Sequence, residues 1–294
     1  MTEHLFLGID GGGTSCRARI ADAAGTTLGE GAAGTANPRY GIEAAYEAIL
    51  TAAAAALAAA GLADDALRRL HAGLGLAGTG QSRARERVLA LPHPFASLAL
   101  ATDAHIACLG AHGGADGAIL ILGTGSCGAA LVGGRDHRIG GLGFPISDHG
   151  SGASLGLAVI RRALWAHDGV EPPGTLSHAV MARFDDDPEV AVAWMDDAKP
   201  RDYASFAPLV IEHAGNNEPL GVALMQQSAL EVARMADALF ATGAPRLALM
   251  GGLAPHVEPW LPSPIRARLD GPKGDALAGA IHMARTAVES RRRA

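Results

Sequence analysis

The chain has 294 residues, 49% of them hydrophobic and 18% charged, which is enough apolar material for one large or two medium cores. A net charge of −6 speaks against a nucleic-acid or anionic-membrane partner, and the run Arg291, Arg292, Arg293 reads as a solvated helix end. No basic segment leads into a long apolar one near the N-terminus and the three cysteines, Cys16, Cys108 and Cys127, form no CxxC pair, so a cytoplasmic protein without disulfides or a zinc site is expected.

Alternating apolar residues and glycine-rich turns predict three short strands at 5–10, 15–22 and 26–31, arranged as an antiparallel meander. Residues 42–60 carry Ile42, Tyr46, Ile49, Ala53 and Leu57 at helical spacing and stop at Gly61, which suits a helix C-terminus. A strand at 71–77, a helix around 83–91, a strand at 97–102 and a short helix from Asp103 to about Ala111 follow. A second beginning then echoes the first: an apolar strand at 118–122, a Gly-Thr-Gly-Ser turn, and a strand at 127–132 that reverses at Gly133 and Gly134. After Ser151 the pattern is mainly helical, with helices expected at 153–166, 175–184, 188–198, 219–242 and 273–290 and one strand at 246–250. Alternating strands and helices make this an α/β chain.

Four glycine-bearing turns stand out. In residues 5–14, LFLGIDGGGT, a strand ends at Asp10 and turns through Gly11, Gly12 and Gly13 to Thr14. Such a turn lets backbone N–H groups approach an anion while the carboxylate holds its metal counter-ion, although Asp-Gly-Gly also makes ordinary hairpin turns. Gly123, Thr124, Gly125 and Ser126 again follow an apolar strand and offer backbone donors and hydroxyls. Gly251 and Gly252, in MGGL, would leave a flat surface for an adenine or ribose. The fourth turn, ending in Gly274 and Asp275, reads as a helix cap. Lys199 and Lys273 are the only lysines, and no G-x-x-x-x-G-K-[ST] occurs, which excludes a P-loop. A dinucleotide-binding fingerprint is also weak, because Gly13 leads into a strand where that fold needs a helix.

The order of these motifs resembles the sugar kinases and ATPases of the actin, hexokinase and Hsp70 superfamily, in the branch holding N-acetylglucosamine kinases and the BadF/BadG/BcrA/BcrD ATPases. Residues 8–14 look like the family's first phosphate motif, 101–104 (ATDA) its catalytic segment, 121–126 (ILGTGS) its second phosphate motif, and 249–253 (LMGGL) its adenosine motif. The runs GFPISDHGSG (143–152), PHPFAS (92–97) and ACLGAH (107–112) look most like bacterial glucosamine-specific kinases. The resemblance implies a duplicated ribonuclease-H-like, actin-like ATPase fold with ATP and sugar in a cleft between lobes that close on binding. One lobe would comprise 1–102 plus a C-terminal helix at about 276–294, the other 103–275.

By the same resemblance Asp10 would position Mg²⁺, Gly11, Gly12, Gly13, Thr14, Gly123, Thr124, Gly125 and Ser126 would meet phosphates, and Gly251 and Gly252 the adenosine. Asp103 would be the catalytic base, with Asn37, Asp103 and Asp148 on the sugar hydroxyls. Each of these three residues also has a plainer explanation: Asp103 fits a helix N-cap, Asp148 a turn, and Asn37 an Asn-Pro turn. Relatives that take the N-acetylated sugar often carry an acidic residue after the matching aspartate, where this chain has His149. The implied activity is ATP-dependent phosphorylation of D-glucosamine at its 6-hydroxyl. N-acetylglucosamine is the nearest alternative substrate, and an ATPase activator of a radical dehydratase is a more distant one that the cysteines argue against. A homodimer is the default assembly.

Overall fold

The computed structural model describes residues 4–79 and 82–293. The chain folds as two compact units, one comprising Met1–Gly117, Gly133–Asp136 and Gly271–Ala294, the other Ala118–Val132 and His137–Asp270.

The first unit begins with the expected meander: β1 (Leu5–Gly11), β2 (Cys16–Ala21) and β3 (Thr27–Ala33), each antiparallel to the one before. Helix α1 (Ile42–Ala59) carries the chain over to β4 (Leu70–Leu76), which pairs parallel to β1. Helix α2 (Ser82–Leu89) leads to β5 (Ser97–Ala101), parallel to β4, and α3 (Asp103–His112) follows directly. The sheet order is β3-β2-β1-β4-β5.

The alanine content of α1 has a packing reason. Ala52, Ala53 and Ala56 are buried, and the backbone of this helix lies so close to β3 that a Cβ on Gly29 or Gly31 would fall 2.4 Å from the carbonyl oxygens of Ala56 and Ala52. Helix and strand have both given up side chains to approach each other. Among the described residues α1 is the one helix long and apolar enough to cross a membrane by length and composition, but it packs on β2 and β3 with Ile49 and Leu57 fully buried.

The second unit holds β6 (Gly117–Leu122) but for its first residue, β7 (Ser126–Val132) and β8 (Arg135–Gly140) but for its first two, then the helices α4 (Gly152–His167), α5 (Thr175–Met181), α6 (Pro188–Asp197), α7 (Pro200–Ala204), α8 (Ala207–Gly215) and α9 (Pro219–Ala241). Strand β9 (Leu247–Met250) pairs parallel to β6 and is followed by the short helices α10 (Ala254–Val257) and α11 (Ser263–Arg266). Its sheet order, β8-β7-β6-β9, repeats β3-β2-β1-β4 of the first unit and stops short of a fifth strand. The protein is an α/β chain built on a duplicated ribonuclease-H-like fold. The helical insertions supply the apolar core of the second half, where Val159, Leu176, Val180, Val210, Val232, Ala236 and Leu239 pack against Leu120 and Leu122.

The last helix, α12 (Ala276–Arg293), belongs to the first unit. It starts after Asp275, whose carboxylate accepts a 2.9 Å bond from the Ala278 amide and two more, at 2.8 and 2.7 Å, from the Arg19 guanidinium on β2. Burial alone would raise the Asp275 pKa, but the Arg19 hydrogen bonds and the Ala278 amide outweigh it and hold the carboxyl below its usual range. A carboxyl depressed on folding contributes stability above its unfolded pKa and loses it as pH falls through the folded value. Asp275→Ala is therefore expected to cost about 0.5–2 kcal/mol from the cap. Its melting temperature should also fall less steeply than the wild type's on acidification below pH 4, a comparison that thermal unfolding followed by circular dichroism provides.

Candidate active site

In both halves the candidate residues gather at the C-terminal ends of parallel strands, where open α/β sheets bind ligands. In the first unit β1 ends at Gly11, β4 at Leu76 and β5 at Ala101. Gly11 has no room for a side chain, since a Cβ there would lie 2.6 Å from Leu76 Cδ2. The carbonyl of Gly11 accepts from the Ala77 amide at 2.8 Å, and that of Gly12 accepts from the Ala36 amide at 3.2 Å and the Thr35 hydroxyl at 3.1 Å. The carbonyls of the loop are thus tied to the body of the unit. On the other side space is open: a Cβ on Gly13 would meet nothing within 4 Å, and one on Gly12 only the Ser15 carbonyl at 3.6 Å. A cradle fixed from behind and vacant in front fits a phosphate group.

Asp10 does not stand alone at this loop. The antiparallel register sets it opposite Arg17, whose guanidinium donates to the Asp10 carboxylate at 2.6 Å, and the side chains are 19% and 51% exposed for Asp10 and Arg17. This cation was missed in the sequence, although folding the two strands about the glycine turn brings it there. Next to Asp10, burial and then the Asp10 charge push the Cys16 thiol up to about 12, so it stays protonated and unreactive.

Asp103 is the first residue of α3. The cap of that helix is Thr102, whose hydroxyl accepts from the His105 amide at 3.1 Å; the Asp103 carboxylate bonds the adjacent Ala104 amide at 2.9 Å. The capping role that could have explained Asp103 away is therefore filled by its neighbour. The buried Thr79 hydroxyl lies 2.6 Å from the Leu76 carbonyl and 3.1 Å from the Ala101 carbonyl, tying the loop after β4 to the end of β5. Asn37 caps a single 3₁₀ turn through the Arg39 amide at 2.9 Å, and its Oδ1 occupies the space next to Gly78, where a Cβ would come within 2.7 Å. Gly78 has φ +83°, which glycine accommodates without strain. The loops bearing Asn37, Gly78 and Thr79 thus run on toward the segment that presents Asp103.

In the second unit Gly123, Thr124 and Gly125 join β6 to β7, which opens at Ser126. The Gly123 carbonyl accepts from the Gly152 amide at 2.8 Å and the Thr124 carbonyl from Ala153 at 3.0 Å, anchoring this turn on the start of α4. Gly251, at φ +92°, packs so tightly on the end of β6 that a Cβ would fall 2.3 Å from the Leu122 carbonyl, which also accepts from the Leu253 amide at 3.0 Å. The candidate adenosine turn and the second phosphate turn are therefore neighbours, with open space over Gly123 and Gly252. Asp148 is 9% exposed and sits at φ +63°, a left-handed conformation uncommon for a residue with a side chain. Its carboxylate faces Gly125, where a Cβ would lie 2.7 Å from Oδ2. The side chain of His149 is exposed.

A glycine turn after the first strand of each half of a duplicated ribonuclease-H-like fold defines the class of actin-like sugar kinases and ATPases. The chain belongs to the BadF/BadG/BcrA/BcrD ATPase family, which it matches over residues 7–261. It is 44% identical to the glucosamine kinase GspK of Vibrio cholerae over 96% of each chain. It is 27% identical to an N-acetyl-D-glucosamine kinase of Dictyostelium discoideum over 73% of this chain and 72% of that one. Among solved structures, a candidate N-acetylglucosamine kinase from Chromobacterium violaceum superimposes with a TM-score of 0.81 at 35% identity, covering 96% of this chain and 99% of that one.

Proposed function

We propose that this protein is an ATP-dependent amino-sugar kinase that transfers the γ-phosphoryl group of ATP to the 6-hydroxyl of D-glucosamine, giving glucosamine 6-phosphate and ADP. The observation that carries this reading is the 44% identity to a glucosamine kinase over nearly the whole of both chains. N-acetylglucosamine is the second reading, supported by the likeness to the Chromobacterium violaceum and Dictyostelium discoideum proteins. An ADP-release assay with glucosamine, N-acetylglucosamine, glucose and no sugar, run side by side, tests both. Turnover fastest with glucosamine is expected; equal turnover without any sugar would remove the kinase assignment.

Phosphoryl transfer asks little covalent chemistry of a protein and depends on positioning and charge stabilisation. We assign Asp103 to accept the proton of the attacking 6-hydroxyl and to orient that oxygen. Asp148 and Asn37 would accept hydrogen bonds from further sugar hydroxyls. Amides and hydroxyls at Gly11, Gly12, Gly13, Thr14, Gly123, Thr124, Gly125 and Ser126 would meet the phosphates, and Gly251 and Gly252 the adenosine. Mg²⁺ held by Asp10 would supply the charge neutralisation of the transferring phosphoryl group that a P-loop lysine supplies elsewhere. A cytoplasmic homodimer is proposed, with a mass in solution of twice the 29.8 kDa chain as its check.

The Arg17 contact bears on the metal. A guanidinium on the Asp10 carboxylate is a monovalent cation where a divalent one would go, and the two compete for the same oxygens. Arg17→Ala should lower the Mg²⁺ concentration for half-maximal rate, by no more than about fivefold because exposed ion pairs are worth about 0–1 kcal/mol. A magnesium titration of the initial rate reads this directly, and a higher Mg²⁺ requirement in the variant would refute the competition.

A further inference from the structure

The segment from Asp148 to Ser151 makes a sharp turn, and its own residues account for only part of it. Asp148 is left-handed at φ +63°, Gly150 is left-handed at φ +68°, and both are buried. Left-handed backbone at a side-chain-bearing residue persists only where the surroundings over-determine it. Here the surroundings are hydrogen bonds from two other elements. The Ser126 hydroxyl, at the start of β7, donates to the His149 carbonyl at 2.7 Å. On α9 the Ser228 hydroxyl donates to the Gly150 carbonyl at 3.0 Å, and the Glu231 carboxylate accepts from the Gly150 amide at 2.6 Å. The other Glu231 oxygen is held by the Gln227 side-chain amide at 3.3 Å.

Every polar group of the Gly150 peptide is thereby taken up by one turn of α9. Ser228 is 3% exposed and lies on the apolar face of that helix, between Met225 and Val232, where a hydroxyl without a partner would be costly. Gly150 leaves no space either, since a Cβ would come within 2.7 Å of Val232 Cγ2 and 3.0 Å of the Ser228 carbonyl. Immediately beyond, Ser151 is fully buried and caps α4 through the Ser154 amide at 3.3 Å, while its own amide bonds the Asp148 carbonyl at 3.2 Å.

We infer that Glu231 and Ser228 are positioning residues for amino-sugar binding: they clamp Gly150, and through it hold the Asp148 carboxylate against Gly125 in the conformation that receives sugar hydroxyls. The inference rests on the assignment of Asp148 to the sugar. Glu231 is the more telling of the two, because an ionised carboxylate on a backbone amide makes one of the stronger hydrogen bonds a loop can receive. A glutamine in its place still offers an oxygen acceptor, whereas alanine offers none.

The test uses the full chain carrying Glu231→Ala, Glu231→Gln or Ser228→Ala. Loss of the charged hydrogen bond should raise the KM for glucosamine by about tenfold in Glu231→Ala, with the KM for ATP within about twofold of wild type and the glutamine variant restored to within about threefold. Amide hydrogen exchange over residues 147–152, measured without substrate, should speed up in Glu231→Ala and not in Glu231→Gln. Parallel changes in both KM values, an unchanged KM for glucosamine, or unchanged exchange in the alanine variant would overturn the clamp. If Glu231→Ala does not fold, Ser228→Ala takes its place with the same two readouts. A wild-type protein that releases no ADP with any amino sugar defeats the kinase assignment instead, and the exchange data still decide whether the clamp exists.

Discussion

Asp103→Asn is expected to lower kcat for glucosamine by about 10²–10⁴-fold, the contribution typical of a positioned general base. The substitution is close to isosteric, and its amide oxygen can still accept from the Ala104 amide that the carboxylate bonds at 2.9 Å. Helix α3 keeps its cap, because Thr102 supplies it. Melting temperature and ATP affinity should therefore stay near wild type while turnover collapses, a combination that structural damage does not give. Calorimetric titration with ATP alongside the ADP-release assay separates the two. A variant keeping half of the wild-type rate would remove Asp103 from catalysis, and one in which turnover and ATP binding were lost together would point to a disturbed loop.

Much of this arrangement was legible in the sequence because it rests on local pattern. The glycine turns after apolar strands, the alanine-rich helix and the return of a second strand-turn-strand unit all show in short windows, and the meander β1-β2-β3 lies where alternation put it. Elements without such pattern were missed. Strand β8, RDHRIG, has one apolar residue, Ile139, in a run of charges, and it forms because β7 offers it a ladder. Helices α7 and α8 are short and are marked chiefly by Pro200 and Pro208 in their first turns, a weak cue by itself. The helix expected over 175–184 tightens into a 3₁₀ turn at Ala182–Phe184.

The site divides along the same line. Asp10 and Asp103 could be singled out because one lies at the end of an apolar strand and the other just beyond one, but Thr102 as the cap of α3 and Arg17 as the partner of Asp10 are matters of dihedral angle and register. The contacts that shape Asp148 were beyond reach. Glu231 lies 81 residues from Gly150, and nothing in either segment announces the other. Gly125 looks like any glycine of a phosphate turn, and only the fold reveals that the Asp148 carboxylate takes up the space a side chain would need.

That proximity makes Asp148 the second residue with a large expected effect. A buried carboxylate that receives hydroxyl hydrogen bonds contributes about 1.5–3 kcal/mol, so Asp148→Ala should raise the KM for glucosamine by roughly 10- to 150-fold and leave the KM for ATP little changed. Gly125→Ala should act on the same interaction from the other side, since the new methyl would sit 2.7 Å from Oδ2 and 2.9 Å from Cγ of Asp148. Asp148 cannot answer by moving its backbone, which is held on one side by the bond from the Ser147 amide to the Gly143 carbonyl and on the other by the His149 and Gly150 hydrogen bonds, so the carboxylate must swing out of place. If displacement of Asp148 is how Gly125→Ala acts on the sugar, the two substitutions are not additive: Gly125→Ala should raise the KM for glucosamine severalfold less when Asp148 is already alanine. Any effect of Gly125→Ala on ATP belongs to its phosphate role and should be the same in both backgrounds. Fully additive effects on glucosamine would separate Gly125 from Asp148, and equal effects of Asp148→Ala on glucosamine and ATP would remove Asp148 from the sugar.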